Sequence, residues 1–505
     1  MADGSRKAEA DLPVWLRPGF LALFVLVLTC LRLFVAANAG LAEDEAYYRL
    51  WGLSPAFGYY DHPPMIAWWI AAGQAVFGDT AFAIRVVCVL SAGVGSLVLW
   101  RTADILFGRK AAGWSVLFFN ATILIGVGSV IATPDAPSVF FWGLSLWALA
   151  ELIRSESANW WLAVGLFAGL GLVSKYSVLF LGAGIVLWLL LMPEARRWLK
   201  SWQLWAGGIL AIALFAPVLV WNAGHEWASF HKQFGRAVPE GWTLKYLGEL
   251  VGALAGLLNP LIAVLAAVGA GRVISRTWER DQKAGLVLMT TLPFLAYLVF
   301  HALHARVQGN WPAPIFPAFV MMAALVAAEL PQTRTGFWRK WRATAAPLGV
   351  VVSLLVLLHA VYPLTGAFGR KDPTQQTRGW DMVASKLARI AEREGAAWIA
   401  TDRYYLNAEL AFSLRGSLPV IQVNDRIRYV MQEPEPESLV RKPALFVAPA
   451  KRDPGLDRLS QRFSQAERVA AIPRMVKGVT LEDIVVYRIA SPQKDPRDPV
   501  YPLPL

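Results

Sequence analysis

Apolar runs of about 20 residues recur through the first 363 positions of this 505-residue chain. A run of that length is what an α-helix needs to cross a bilayer. Eleven spans are expected, at about 19–38, 80–100, 112–131, 136–152, 160–173, 178–192, 203–221, 246–270, 285–302, 312–328 and 343–363. Two are short, and they bracket Ser174-Lys175-Tyr176-Ser177. The chain is 56% hydrophobic and 17% charged, against about 25% charged in an ordinary soluble domain. A soluble enzyme and a disordered chain are thereby excluded. The 23 Trp suit a protein with many membrane–water interfaces. Cys30 and Cys88 sit in apolar runs and read as small core residues, too few for a disulfide framework or a Cys-based zinc site. The first span follows Arg6, Lys7 and Arg17 without a small-residue cleavage site, so it reads as a retained helix and not a signal peptide.

Basic residues set the orientation. With the N-terminus inside, eighteen Lys and Arg fall on inner segments and seven on outer loops and outer helix ends, the bias that keeps cationic loops cytoplasmic. The net charge of +12 is therefore a topological signal and does not call for a nucleic-acid partner. Eleven spans put the C-terminus outside.

Residues 364–505 differ in character. They carry 22 Lys/Arg and 17 Asp/Glu and no spanning run. Short β-rich stretches at 397–400, 418–423, 445–447 and 484–487 alternate with helical patterns such as Trp380 to Arg393. The expected architecture is a mainly α, polytopic membrane domain over 1–363 and an outer α/β domain over 364–505, whose Pro-rich end from Pro492 reads as a loose tail. No internal repeat is visible.

The chemistry-bearing residues gather in the outer loops. The first, about 39–79, contains Glu43-Asp44-Glu45-Ala46-Tyr47-Tyr48 and Gly58-Tyr59-Tyr60-Asp61-His62-Pro63-Pro64-Met65. Three consecutive carboxylates near a membrane repel one another, so at least one pKa should rise, which suits a general base or a cation site. Glu43 reads equally as a solvated loop end. The aromatic residues of this loop predict short amphipathic helices, and two prolines hold His62 in extended backbone. Asp61 and His62 read either as functional groups or as a loop hydrogen bond. Asp135, between Pro134 and Pro137, is either presented to a site or caps the following helix. Lys175 is the only charge in about 30 apolar residues; it snorkels or binds a phosphate. The fourth outer loop supplies His225, Glu226, His231 and Arg236, and the fifth His301, His304, Arg306, Asn310 and Trp311. No HExxH, no GxxxxGK[ST] and no GxGxxG opening a βαβ unit occurs, so zinc, ATP and dinucleotide chemistry lack support. Carboxylates and aromatic rings suit a sugar, cations facing lipid suit a phosphate head group, and together they suit group transfer from a lipid-phosphate donor.

These residues also carry a family resemblance. Asp44-Glu45-Ala46-Tyr47-Tyr48, Gly58 to Met65 and Thr133-Pro134-Asp135-Ala136-Pro137 resemble the polyprenyl-phosphate-dependent membrane glycosyltransferases of the GT-C fold. That group includes protein O-mannosyltransferases, the lipid A aminoarabinose transferase and rhizobial galacturonosyltransferases. Ser174 to Ser177, Trp221 to Arg236 and Val307 to Pro314 are similar to later segments of the bacterial branch. The likeness runs over about 40–320 and continues loosely at Thr401-Asp402-Arg403-Tyr404-Tyr405.

The resemblance implies a fold, a reaction and roles. A sugar carried outside on a polyprenyl phosphate is attacked at its anomeric carbon by an envelope acceptor (lipid A, core saccharide, another glycan or protein), with inversion. Asp44, with Glu45 and Asp135, would be catalytic. Lys175, His62, Asp61, Arg236, Tyr59 and Tyr60 would bind the lipid-linked sugar and its phosphate. His225, Glu226, Asn310 and Trp311 would bind acceptor or sugar. The phosphate is its own leaving group, so cations such as Lys175, Arg236 or His62 stabilise it. No cofactor is required and no metal assigned; a divalent cation at Glu43, Asp44 and Asp61 is possible but not favoured. Where the aminoarabinose branch has acid-Lys-Pro-Pro, this chain has Asp61-His62-Pro63-Pro64; His62 is titratable, which weighs against aminoarabinose. The expected location is a bacterial inner membrane with the N-terminus cytoplasmic and the C-terminal domain periplasmic. A transporter or lipid flippase is the alternative, disfavoured because charges cluster outside and not at mid-span, Arg32 excepted.

Overall fold

A computed structural model describes residues 12–236, 241–330, 336–366 and 368–497. Arg6, Lys7 and Arg334 of the expected inner-face cations, and 498–505 of the expected tail, lie outside the described residues. Among the described residues, seven helices are long and apolar enough to cross a membrane: Pro18–Asn38, Ala81–Phe107, Asp135–Ser155, Trp202–Ala223, Pro260–Trp278, Gln282–Ala302 and Phe337–Val361. An eighth is broken, Arg109–Ala121 meeting Ile123–Val130 at 64°. Three expected spans, at 160–173, 178–192 and 312–328, fall on shorter apolar helices, Trp160–Leu172, Tyr176–Leu191 and Ala313–Glu329.

The expected span 246–270 is corrected by the structure. Helix Lys245–Leu258 stops at Asn259, whose backbone has φ +76° and whose side chain accepts the Leu261 N–H, and Pro260 opens the next helix. An N-capping Asn followed by proline at the first helical position is a start signal that overrides continuous hydrophobicity.

The chain forms two compact units. The first comprises Met1–Ala36, His62–Ile66 and Arg85–Leu357. Its helices approach closely where side chains are absent. A Cβ on Gly165 would overlap the Gly207 carbonyl, and one on Gly207 the Trp161 carbonyl, so helices Trp160–Leu172 and Trp202–Ala223 meet backbone to backbone, as small residues allow in membranes. Arg32 is 2% exposed; it donates to Asn120 Oδ1 at 2.9 Å, and Asn120 Nδ2 donates to Ser96 at 3.0 Å and to the Val116 carbonyl at 3.0 Å.

The second unit comprises Ala37–Asp61, Ala67–Ile84 and Leu358–Leu505. The sequence division at 363 separates segments that the structure groups, because the first outer loop folds with the C-terminal residues. Its sheet contains β1 (Trp398–Thr401), β2 (Val420–Gln422), β3 (Ala444–Pro449), β4 (Phe463–Val476) and β5 (Val479–Pro492), in the order β2-β1-β3-β5-β4. β1 runs parallel to β2 and β3, while β5 is antiparallel to β3 and β4. Lys477 (φ +44°) and Gly478 (φ +79°) turn β4 into β5, the left-handed pair that a two-residue hairpin requires. Helix Trp380–Glu394 lays Trp380, Val383, Leu387 and Ala391 on one sheet face with Ile484 and Val486. Val485 and Tyr487 point to the other face, with Trp398 and Phe446, the period of two expected of a strand covered on both sides. β5 carries the chain to Pro492, so the tail expected from that residue begins later.

Candidate functional site

Helix Glu43–Leu53 in the second unit opens with three acids in its first turn, where the helix dipole favours negative charge. Each acid has a different environment. Glu45 is fully buried and reaches back to accept the Ala42 N–H at 2.9 Å, which caps the helix. Glu43 is half-buried. Burial pushes its carboxyl up to about 7, with the Asp44 and Glu482 charges adding to the shift and Arg474 opposing it. The rise expected within the triplet thus falls on Glu43, chiefly through desolvation. Asp44 is exposed, and its Oδ1 accepts the Tyr404 hydroxyl at 3.1 Å. Tyr404 stays protonated: burial raises its pKa, and Asp44 raises it further.

The same unit holds Asp61 firmly. Its Oδ2 accepts from Arg428 Nη1 at 2.6 Å and from the Tyr47 hydroxyl at 2.9 Å. The Arg428 guanidinium lies 4.8 Å from the ring centre of Tyr404, 5.3 Å from Tyr60 and 5.8 Å from Tyr47, within cation–π range. Tyr60 is therefore one wall of an aromatic cage around a cation. Tyr59 has another duty. Its ring stacks on Trp51 at 4.2 Å, and its hydroxyl bonds with the backbone of Trp51, Ser54 and Ala56, so it braces the loop. Tyr404 and Arg428, which bond to Asp44 and Asp61, are residues that sequence reasoning missed. The loose likeness at 401–405 touched the first; nothing local marks the second, 367 positions from its acid.

In the first unit Asp135 opens helix Asp135–Ser155 but makes no capping hydrogen bond. Its Oδ1 lies 2.5 Å from Lys175 Nζ and its Oδ2 accepts from Asn310 Nδ2 at 2.6 Å. Both ion-pair side chains are 12% exposed. The capping alternative thus gives way to a triad, and Lys175 is drawn to a carboxylate instead of snorkelling. His62 is half-buried. The Met65 N–H donates to the Val173 carbonyl at 3.0 Å, tying the Pro63-Pro64 segment to the turn that carries Lys175.

The remaining candidates lie at other helix ends and loops of this unit. The His225 ring stacks on Trp221 at 4.0 Å, with Nδ1 2.7 Å from the Trp221 carbonyl. Glu226 is exposed with φ +53°. Arg236 is exposed and within electrostatic reach of Tyr297 and His301. The Trp311 ring sits 5.0 Å from His301. Among the described residues no three His, Cys, Asp or Glu side chains come together to hold a metal ion.

Residues 61–221 match the family model described as dolichyl-phosphate-mannose-protein mannosyltransferase. The lipid A galacturonosyltransferase RgtD of Rhizobium johnstonii is 27% identical over 382 residues, covering 74% of this chain and 78% of that protein. An undecaprenyl phosphate-alpha-4-amino-4-deoxy-L-arabinose arabinosyl transferase of Pseudomonas fluorescens is 25% identical over 68% of this chain, and the match spans 64% of that relative, less than two thirds of its length. Among solved structures, ArnT of Cupriavidus metallidurans bound to undecaprenyl phosphate superposes with a TM-score of 0.64 at 16% identity, over 93% of this chain and 98% of that one. At that identity the likeness is one of fold.

Proposed function

Because the chain is a multi-pass membrane glycosyltransferase of the polyprenyl-phosphate-dependent GT-C class, we propose that it moves a sugar from undecaprenyl phosphate to a lipid A-type glycolipid of the bacterial envelope, on the periplasmic face. The observation that carries this reading is the Asp135–Lys175–Asn310 triad. A single ammonium at the outer end of apolar helices, oriented by a carboxylate 2.5 Å away, is suited to a lipid phosphate.

Lys175 neutralises the phosphate as the bond from its oxygen to the anomeric carbon breaks, and undecaprenyl phosphate departs carrying that electron pair. The acceptor oxygen forms the new bond from the opposite side, inverting the centre. A hydroxyl acceptor gives its proton to Asp44, which Tyr404 orients; a phosphate acceptor needs no base. His62 and Arg236 add positive charge for the donor. No resident metal enters this scheme, and activity is expected to persist in EDTA. The N-terminus is cytoplasmic and the sheet-bearing domain periplasmic, in keeping with the distribution of Lys and Arg.

The test is transfer by purified protein from undecaprenyl-phosphate-linked sugars to lipid A. Asp44→Asn should abolish turnover with a hydroxyl acceptor. Tyr404→Phe, which removes one hydrogen bond to a charged group, should lower kcat about tenfold. Full activity of Asp44→Asn sinks the role of Asp44. Absence of transfer by the wild type from any such donor sinks the reading as a whole.

A further inference from the structure

Beyond the triad, one buried polar cluster in the first unit has no role in the reaction as derived. His301, at the end of helix Gln282–Ala302, is 1% exposed, and its Nδ1 has no hydrogen-bond partner. His304, one turn on, has both ring nitrogens buried and without a partner. The two rings lie 4.7 Å apart. Their surroundings are aromatic: Trp311 at 5.0 Å from His301, and Phe300 and Trp242 at 5.3 Å and 6.3 Å from His304. A buried polar atom without a hydrogen bond keeps its full desolvation penalty, so three in one cluster call for a ligand that supplies the bonds.

Position and chemistry narrow the ligand. Trp311 follows Asn310, which is bonded to Asp135 and through it to Lys175, so the cluster adjoins the proposed phosphate site along the chain. A neutral imidazole offers one donor and one acceptor, which is what sugar hydroxyls use, and indole faces cover the apolar side of a sugar ring. Arg236, in electrostatic reach of His301, favours a hydroxyl or carboxylate substituent over an ammonium. Trp242, one of the rings beside His304, is itself 68% exposed, so a sugar gains hydrogen bonds by displacing a side chain that has little to lose.

We propose that His301, His304 and Trp311 form the subsite for the sugar ring of the lipid-linked donor, selecting a neutral or acidic sugar over an amino sugar. This rests on the glycosyltransferase reading and adds the donor's sugar to it.

The experiment compares binding of bare undecaprenyl phosphate with binding of undecaprenyl-phosphate-linked hexose, uronic acid and 4-aminopentose to the full chain. Wild type should prefer the first two sugars to the aminopentose. His301→Phe and His304→Phe should weaken the preferred sugar-linked donor at least tenfold while bare undecaprenyl phosphate stays within twofold, and His304→Gln should recover part of the loss. If either Phe variant does not fold, the Gln variant and Trp311→Phe carry the same comparison. Unchanged binding of the sugar-linked donors, parallel loss of both ligand types, or preference for the aminopentose overturns the subsite. Wild type that binds no undecaprenyl-phosphate species overturns the donor reading itself.

Discussion

Glu43 and Asp44 are neighbours in sequence with different surroundings, and that difference gives a pH signature. Glu43 in the folded protein holds its proton up to about 7, whereas an unfolded glutamate releases it near about 4.3. The folded state therefore binds more protons between those values, so the Glu43 contribution to stability is complete below the lower value and is lost as pH rises through the upper one. Thermal unfolding of Glu43→Gln should show a flatter pH dependence across that window and a higher midpoint than wild type on its alkaline side. At Asp135 and Lys175, removing one member of a largely buried pair strands the other, at a cost of about 3–5 kcal/mol. Lys175→Met should lose that much stability, and Lys175→Met combined with Asp135→Leu should recover most of it while remaining inactive. A double-mutant unfolding cycle with transfer assays reads both. Asp44, Asp135 and Lys175 stood out as candidates in the sequence because proline, acidity or isolation in an apolar run made each conspicuous. Arg428 was not, because a cation in a charge-balanced domain looks like any solvated arginine until the fold brings it to Asp61.

Helices and strands were read with unequal success for a physical reason. Apolar runs need only local composition to declare themselves, so Pro18–Asn38, Trp202–Ala223 and Phe337–Val361 were found close to their observed bounds. β4 was missed: Phe463–Val476 mixes charged residues with Pro473 and lies at the sheet edge, where one side of the strand needs no partner. Breaks inside apolar runs depend on single residues: Thr122, whose side chain accepts the Ile125 N–H, in one case and Asn259 in another. Near the first break Asn120 supplies the oxygen that receives the Arg32 guanidinium, and Arg32 has no carboxylate partner among the described residues. Asn120→Leu should cost about 1.5–3 kcal/mol, the worth of a hydrogen bond to a charged group, seen as a lower unfolding temperature in detergent. Arg32→Met on that background should restore part of the loss.

At the scale of the whole chain, composition located the protein in a membrane and charge distribution gave an expected direction, but neither revealed that residues 37–61 and 67–84 and the last third of the sequence fold as one unit. Such grouping lies in contacts between distant positions, which no window along the sequence samples. The orientation gives a direct prediction. Alkaline phosphatase fused after Arg497 should be active in cells and a cytoplasm-dependent fluorescent reporter dark at the same junction, with the reverse at the N-terminus.

Asp61 and Arg428, 367 positions apart, also fix a schedule. Residues leave the ribosome at about 5–20 per second, so the acid waits roughly 20–70 s for its cation while the intervening helices are made and inserted. A chain terminated before Tyr404 has neither the clamp on Asp61 nor the hydroxyl that bonds to Asp44, and one terminated between Tyr404 and Arg428 still lacks the clamp. On the proposed reading, nascent and truncated copies lack the assembled acid cluster, and transfer waits for the stretch of chain that brings Arg428.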